Sequence, residues 1–268
     1  MKDVILGIDA AWSLTQPSGV AVVVSEGQRW RLLAVEASYS CFINGRSHLK
    51  PAGSSPNARN LLSAAADKAG APVDLVAIDM PLSRVPITGR RCSDNAISSA
   101  YGSRHCATHS PSSVWPGVIS DQLRAAFTDA GYPLLTGEFR SPGLIEVYPH
   151  PALVELAQAP RRLPYKFQKI GKYWPDMAPD ERRSRLMGQW SHIVGLLDNE
   201  IDGVADLMHL PPPMTKGAAF KAFEDKLDAI VCAWVGICVV EHRATPFGDH
   251  ESAIWVPSEY SPRHVIPS

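Results

Sequence analysis

Apolar residues fall along this chain in short unbroken runs and in longer stretches at helical spacing, and the two kinds alternate. Residues 4–9 (VILGID), 19–25 (GVAVVVS) and 29–39 (RWRLLAVEASY) read as three strands, separated by Pro17, Gly19 and an EGQ turn. An antiparallel meander is predicted. NARNLLSAAADKAG has Ala, Leu and Lys at helical density and stops at Gly70, ahead of a buried strand, VDLVAID, that ends at Asp79. Residues 83–116 are rich in Ser, Arg, His and Cys, with room for a short helix at SDNAISSA, and read as a functional excursion or insertion. A helix is predicted at GVISDQLRAAFTDAGY, followed by a strand, GLIEVYP, that Pro149 stops. RRLPYKFQKIGK, residues 161–172, is basic and irregular. Helices are predicted over 179–198 and from about Lys216 to His242, and SAIWVPS reads as a closing edge strand. The pattern is that of a single α/β domain over residues 1–268, with an insertion after the fourth strand at about 83–140 and a basic irregular segment at about 160–175.

Acidic residues interrupt this pattern at the ends of buried runs. ILGID ends on Asp9, VAID on Asp79, and LIE holds Glu146. An unpaired carboxylate in such a setting is costly to desolvate. If the three strands run parallel, their acids converge on one edge of the sheet. Asp228, in FEDKLDAIVCAW, lies just before its helix becomes apolar on every face, and Asp225 precedes it on nearly the same face. Two carboxylates about 4 Å apart repel by roughly 4 kcal/mol at an effective dielectric of about 20. Such a cluster calls for cations, and all-oxygen donors favour hard ones, Mg²⁺ or Mn²⁺. Two ions bound by Asp9, Asp79, Glu146 and Asp228 would suit phosphodiester hydrolysis. The plainer alternatives are a helix cap or turn at Asp9 and Asp79, and for Asp228 a solvated salt-bridge ladder with Lys221 and Asp225.

Composition narrows the partners. The formal net charge of −1 gives no global basic field, so any contact with a polyanion must be local. Lys166, Lys169 and Lys172 recur in YKFQKIGK, and with Arg161 and Arg162 they are candidate phosphate contacts. Arg90 and Arg91, in GRRCSD, are candidates for bidentate phosphate binding, unless Arg91 simply pairs with Asp94. Five cysteines without paired spacing suggest a reducing compartment, and with no secretory signal in view a cytoplasmic location is expected. The longest apolar run, residues 229–240, is shorter than the roughly 20 residues of a membrane-spanning helix, so no membrane is expected. Cys92, His105, Cys106 and His109 match no standard zinc spacing. Trp12 is expected to pack under the hairpin, with stacking on a base as the alternative.

Taken in order, GIDAAW with SGVAVV, AIDMPL, RRCSDNAI, LIEVYPHPAL, YKFQKIGKYW and DKLDAIVCAW give the chain its resemblance to domain-of-unknown-function family 429, predicted nucleases of ribonuclease H-like fold. The resemblance runs from Gly7 to about Trp234. It implies a mixed five-stranded sheet flanked by helices, with Asp9 on the first strand, Asp79 ending the fourth and Asp228 on the C-terminal helix. The expected function is therefore a divalent-metal-dependent nuclease with nucleic acid as substrate. An actin-like or sugar-kinase-like ATPase or phosphotransferase is one alternative, although it needs glycine-rich phosphate loops that the chain lacks. A non-catalytic nucleic-acid-binding protein is another.

Overall fold

The computed structural model describes residues 2–45, 51–212 and 215–258. The predicted meander forms as β1 (Val4–Asp9), β2 (Gly19–Glu26) and β3 (Arg29–Glu36), with both pairings antiparallel. Next come α1 (Tyr39–Asn44), α2 (Ala58–Ala69) and β4 (Leu75–Asp79). The Asn57 side chain caps the start of α2 by accepting from the Asn60 N–H, and Gly70 ends the helix at φ 69°, a left-handed conformation that glycine adopts without a Cβ penalty. The segment between β4 and the next strand holds α3 (Cys92–Tyr101) and α4 (Val118–Asp129). The chain continues through β5 (Gly143–Val147), α5 (Pro149–Leu156), α6 (Ile170–Tyr173), α7 (Pro179–Glu200), β6 (Ile201–Asp202), α8 (Val204–Leu207) and α9 (Gly217–Val240). It closes with β7 (Ala244–Gly248) and β8 (Ala253–Pro257).

One mixed sheet joins these strands in the order β6-β3-β2-β1-β4-β5-β8-β7. Its middle is parallel: β4 pairs with β1 and with β5. The expected count of five strands is corrected to eight. Two of the additional strands give no pattern to read, because β6 has two residues and β7 (ATPFG) interrupts its apolar positions with Pro246 and Gly248. Proline is tolerated in β7 because that strand is the sheet's edge. β8, expected as the closing edge, lies inside, between β5 and β7.

Side-chain alternation divides the sheet into two faces. Ile5, Ala77, Ile145 and Val147 join the core formed with α5, α7 and α9, whereas Leu6, Ile8, Val76, Ile78 and Leu144 join the core under α2 and α4. A smaller cluster packs α3 and α5 against β8. Among the described residues, no helix is long and apolar enough to cross a membrane.

Candidate functional site

The C-terminal ends of β1 and β4 meet at one sheet edge. Asp9 and Asp79 are register partners on these adjacent parallel strands, so both carboxylates leave the same face, the one covered by α9. Both keep partial solvent exposure. Glu146 does not join them. Its register partner is Ile78, so it projects from the opposite face of the sheet: the three strand-end acids share one edge, as parallel strands require, but only Asp9 and Asp79 share a face. Arg91 holds Glu146 with Nη1 to Oε2 at 2.5 Å and Nη2 to Oε1 at 2.8 Å, while the Leu82 N–H donates to Oε2 at 2.7 Å. Burial pushes the Glu146 carboxyl upward, against the pull of Arg91 and the Leu82 N–H. Arg91 also bonds Asp94 at 2.9 Å, so its fork is engaged on both sides by buried carboxylates rather than open to a phosphate.

Helix α9 brings the next acids because two glycines let it lie against the strands. A Cβ on Gly7 would stand 2.2 Å from the Ala229 carbonyl oxygen, and one on Gly19 would stand 1.9 Å from that of Asp225. This close approach is the structural reason for the glycines of GIDAAW and SGVAVV. It carries Glu224, Asp225 and Asp228 into the interior, each no more than 3% exposed, so the solvated ladder considered for Asp228 does not form. The Lys221–Asp225 pair does form, at 2.6 Å, and Lys221 also reaches Glu224 at 2.9 Å.

The connection after α5 supplies the remaining partners. Tyr165 donates its hydroxyl to Asp228 Oδ1 at 2.8 Å, and the Lys166 ammonium forms an ion pair with Asp228 Oδ2. Lys166 lies 3.6 Å from Glu224, whose Oε2 accepts the Phe167 N–H at 2.6 Å. Lys166, expected at the substrate, is thus a counter-ion of the acids. Tyr165 and Glu224 escaped the sequence reading, since nothing local to YKF or FED shows that they meet. Next to them His150 is buried between Tyr148 and Tyr165, with ring centroids at 5.3 and 5.4 Å, and its Nδ1 has no hydrogen-bond partner. Burial and the surrounding cations hold its pKa well below the ordinary value.

The electrostatics record crowding. Burial, then Asp228 and Asp225, raise the Asp9 carboxyl well above its ordinary range. Asp79 is pushed up to about 7 by burial and by Asp228 and Glu146, in spite of Lys166. Asp225 is pushed up to about 6, mainly by burial, and its Oδ2 is buried without a hydrogen-bond partner. Burial opposes the charge of Lys166, but Asp228, Glu224 and Asp9 among its neighbours raise its pKa well above normal. As the side chains stand, no group of three or more His, Cys, Asp or Glu among the described residues is gathered ready to hold a metal ion, and that covers both the acids and the Cys92 to His109 segment. The donor chemistry still fits a hard divalent ion, with carboxylate oxygens only, a partnerless buried oxygen on Asp225, and acids whose charge the protein leaves under-compensated.

The other predicted contacts divide. Arg90 secures the loop after α3, donating to Asn95 Oδ1 at 2.7 Å and Ser110 Oγ at 3.1 Å. Lys169 belongs to a cationic group with Arg162 and Lys172, and burial together with these neighbours lowers its pKa. Asp79, Glu146, Tyr148, His109 and Trp12 line one small cleft, of about 60 Å³, beside the acids.

Residues 7–253 match the model of the family described as Protein of unknown function (DUF429), and the chain belongs to that family. No curated protein matches the chain, and neither does any solved structure.

Proposed function

For a member of a family whose description names no activity, we propose a divalent-metal-dependent phosphodiester hydrolase, a nuclease of ribonuclease H-like fold. One observation carries the reading. Asp9 and Asp79 leave the same face as register partners, under a helix that buries Asp228, and burial together with repulsion from Asp228 raises the pKa of both strand acids. The acids stand on the first strand, at the end of the fourth and on the last helix, as the resemblance implies.

Asp9, Asp79 and Asp228 would hold Mg²⁺ or Mn²⁺, with Asp225 behind them. One or two such ions supply Lewis-acid polarisation of a phosphoryl oxygen and a water of lowered pKa. The chain's own contribution is positional. Asp9 and Asp79 are fixed by the strand register, while Tyr165 orients Asp228 through its hydroxyl. Lys166 neutralises Asp228 and must withdraw when an ion binds there. The same pairing favours a second reading, in which the lysines are permanent counter-ions and the edge binds nucleic acid without cleaving it.

Incubation with labelled oligonucleotides and Mn²⁺ tests the choice. The hydrolase reading expects cleavage that EDTA stops and that Asp9→Asn lowers by at least about a hundredfold, the scale lost when a principal electrostatic group of an active site is removed. Cleavage unchanged in Asp9→Asn refutes the assignment, and binding without cleavage selects the second reading.

A further inference from the structure

An aromatic surface adjoins the acid cleft. Trp12 and Trp115 lie with ring centroids 6.0 Å apart and planes tilted by 53°. With His109 and Ser110 they bound an open groove of about 450 Å³, a size in the range of small-molecule sites, roughly 300 to 1,000 Å³. Trp12 and His109 also line the cleft that holds Asp79, so groove and acid site are neighbours.

The loop that presents Trp115 is braced. Ser112 Oγ accepts the Trp115 N–H at 3.0 Å, and the Ser112 N–H donates to the Trp115 carbonyl at 2.8 Å. Gly117 follows at φ 58°, where a Cβ would stand 2.4 Å from the Ser113 carbonyl oxygen, so the turn requires glycine. Trp115 nevertheless remains 53% exposed and its neighbour Val114 85%. A large aromatic ring exposed on a rigid turn buries little of its own surface, but it loses little further freedom when it binds.

Charge completes the argument. Arg162, Lys166 and Lys172 act together on Lys169, and Arg162, Lys166 and Lys169, together with His109, also act on His150. Cations and the aromatic pair thus share the surroundings of one acidic cleft. A duplex keeps its base faces stacked inside, whereas a single strand offers both a phosphate backbone and free π-faces.

We propose that the Trp12–Trp115 groove seats an unpaired nucleobase next to the phosphate at the acid site, which makes single-stranded nucleic acid the substrate class. The proposal rests on the hydrolase reading for the position of that phosphate, and its test separates the two. Tryptophan fluorescence and anisotropy are followed in EDTA as labelled oligo(dT), its duplex with oligo(dA), and inorganic tripolyphosphate are titrated into the full chain. Trp30, Trp190, Trp234 and Trp255 are buried and Trp174 is half-buried outside the groove, so it is the part of the quenching that Trp115→Ala removes that reports on the groove.

Oligo(dT) is expected to quench, with tripolyphosphate and the duplex quenching little. Trp115→Ala should weaken single-strand binding about tenfold or more, the scale of one base–aromatic stack, and Trp115→Phe should restore part of it. Equal binding by wild type and Trp115→Ala, or equal quenching by duplex and single strand, overturns the proposal. So does sedimentation showing that Trp115→Ala dissociates an oligomer, which would assign the face to a second copy. Single-strand quenching without Mn²⁺-dependent cleavage supports the seat and removes the hydrolase reading, whereas cleavage with the same strand preference in Trp115→Ala does the reverse.

Discussion

Asp79 is the residue whose titration the fold alters most legibly. Its pKa is raised from 3.8 to about 7, with burial the largest cause. A carboxyl raised in the folded state favours the protonated form there, so its stabilising effect is full below the unfolded value and is lost as pH climbs through about 7. Asp79→Asn, neutral throughout, should therefore melt above the wild type at pH 8 without divalent ions, by about 1 kcal/mol or roughly 2–4 °C. The gap should narrow as pH falls towards 4, and thermal melts across that range check it. Glu146 is also raised by burial, but unlike Asp79 it is bound directly by a buried guanidinium, that of Arg91. Arg91→Met leaves Glu146 and Asp94 buried without their shared cation and should cost about 3–5 kcal/mol in denaturant unfolding. Asp9 and Asp79 were legible in the sequence because each ends its apolar run. The facing of Glu146 was not legible, for a physical reason: the position in phase with Asp79 is Val147, and only the pairing of β5 with β4 reveals it.

At the level of elements, helix stops and buried runs were readable because they obey local rules. Gly70 ends α2 as predicted, and the meander forms in the expected order. The contact between α9 and the sheet is not local, and it depends on glycines that look in sequence like ordinary strand breaks. Gly19→Ala should drive α9 off β2 at Asp225, costing about 1–3 kcal/mol by overpacking. It should also reduce any metal-dependent activity while leaving the far-ultraviolet circular dichroism unchanged. Gly27→Ala, at a turn with open space around it, is the comparison for stability: its φ of 67° carries backbone strain, but α9 is not displaced. Activity lost in both variants to the same degree would show that stability, and not the seating of α9, is what matters. The basic, irregular segment 161–172 offers candidate phosphate contacts in sequence, yet it contributes Lys166 to acids about 60 residues further along the chain, a partnership that no spacing rule encodes.

For the molecule as a whole, a net charge of −1 conceals a strongly uneven field. Acids from β1, β4 and α9 meet at one edge, lysines from two segments lie among them, and further cations and exposed aromatic rings stand nearby. Burying like charges together destabilises a fold unless a ligand relieves the repulsion, and relief by a hard divalent ion is the central claim. The most direct measurement is an anomalous difference map from crystals soaked in Mn²⁺. The account predicts a peak contacted by carboxylate oxygens of Asp9 and Asp79, with Lys166 withdrawn from Asp228. A map with no peak at this edge and Lys166 still paired with Asp228 would contradict it.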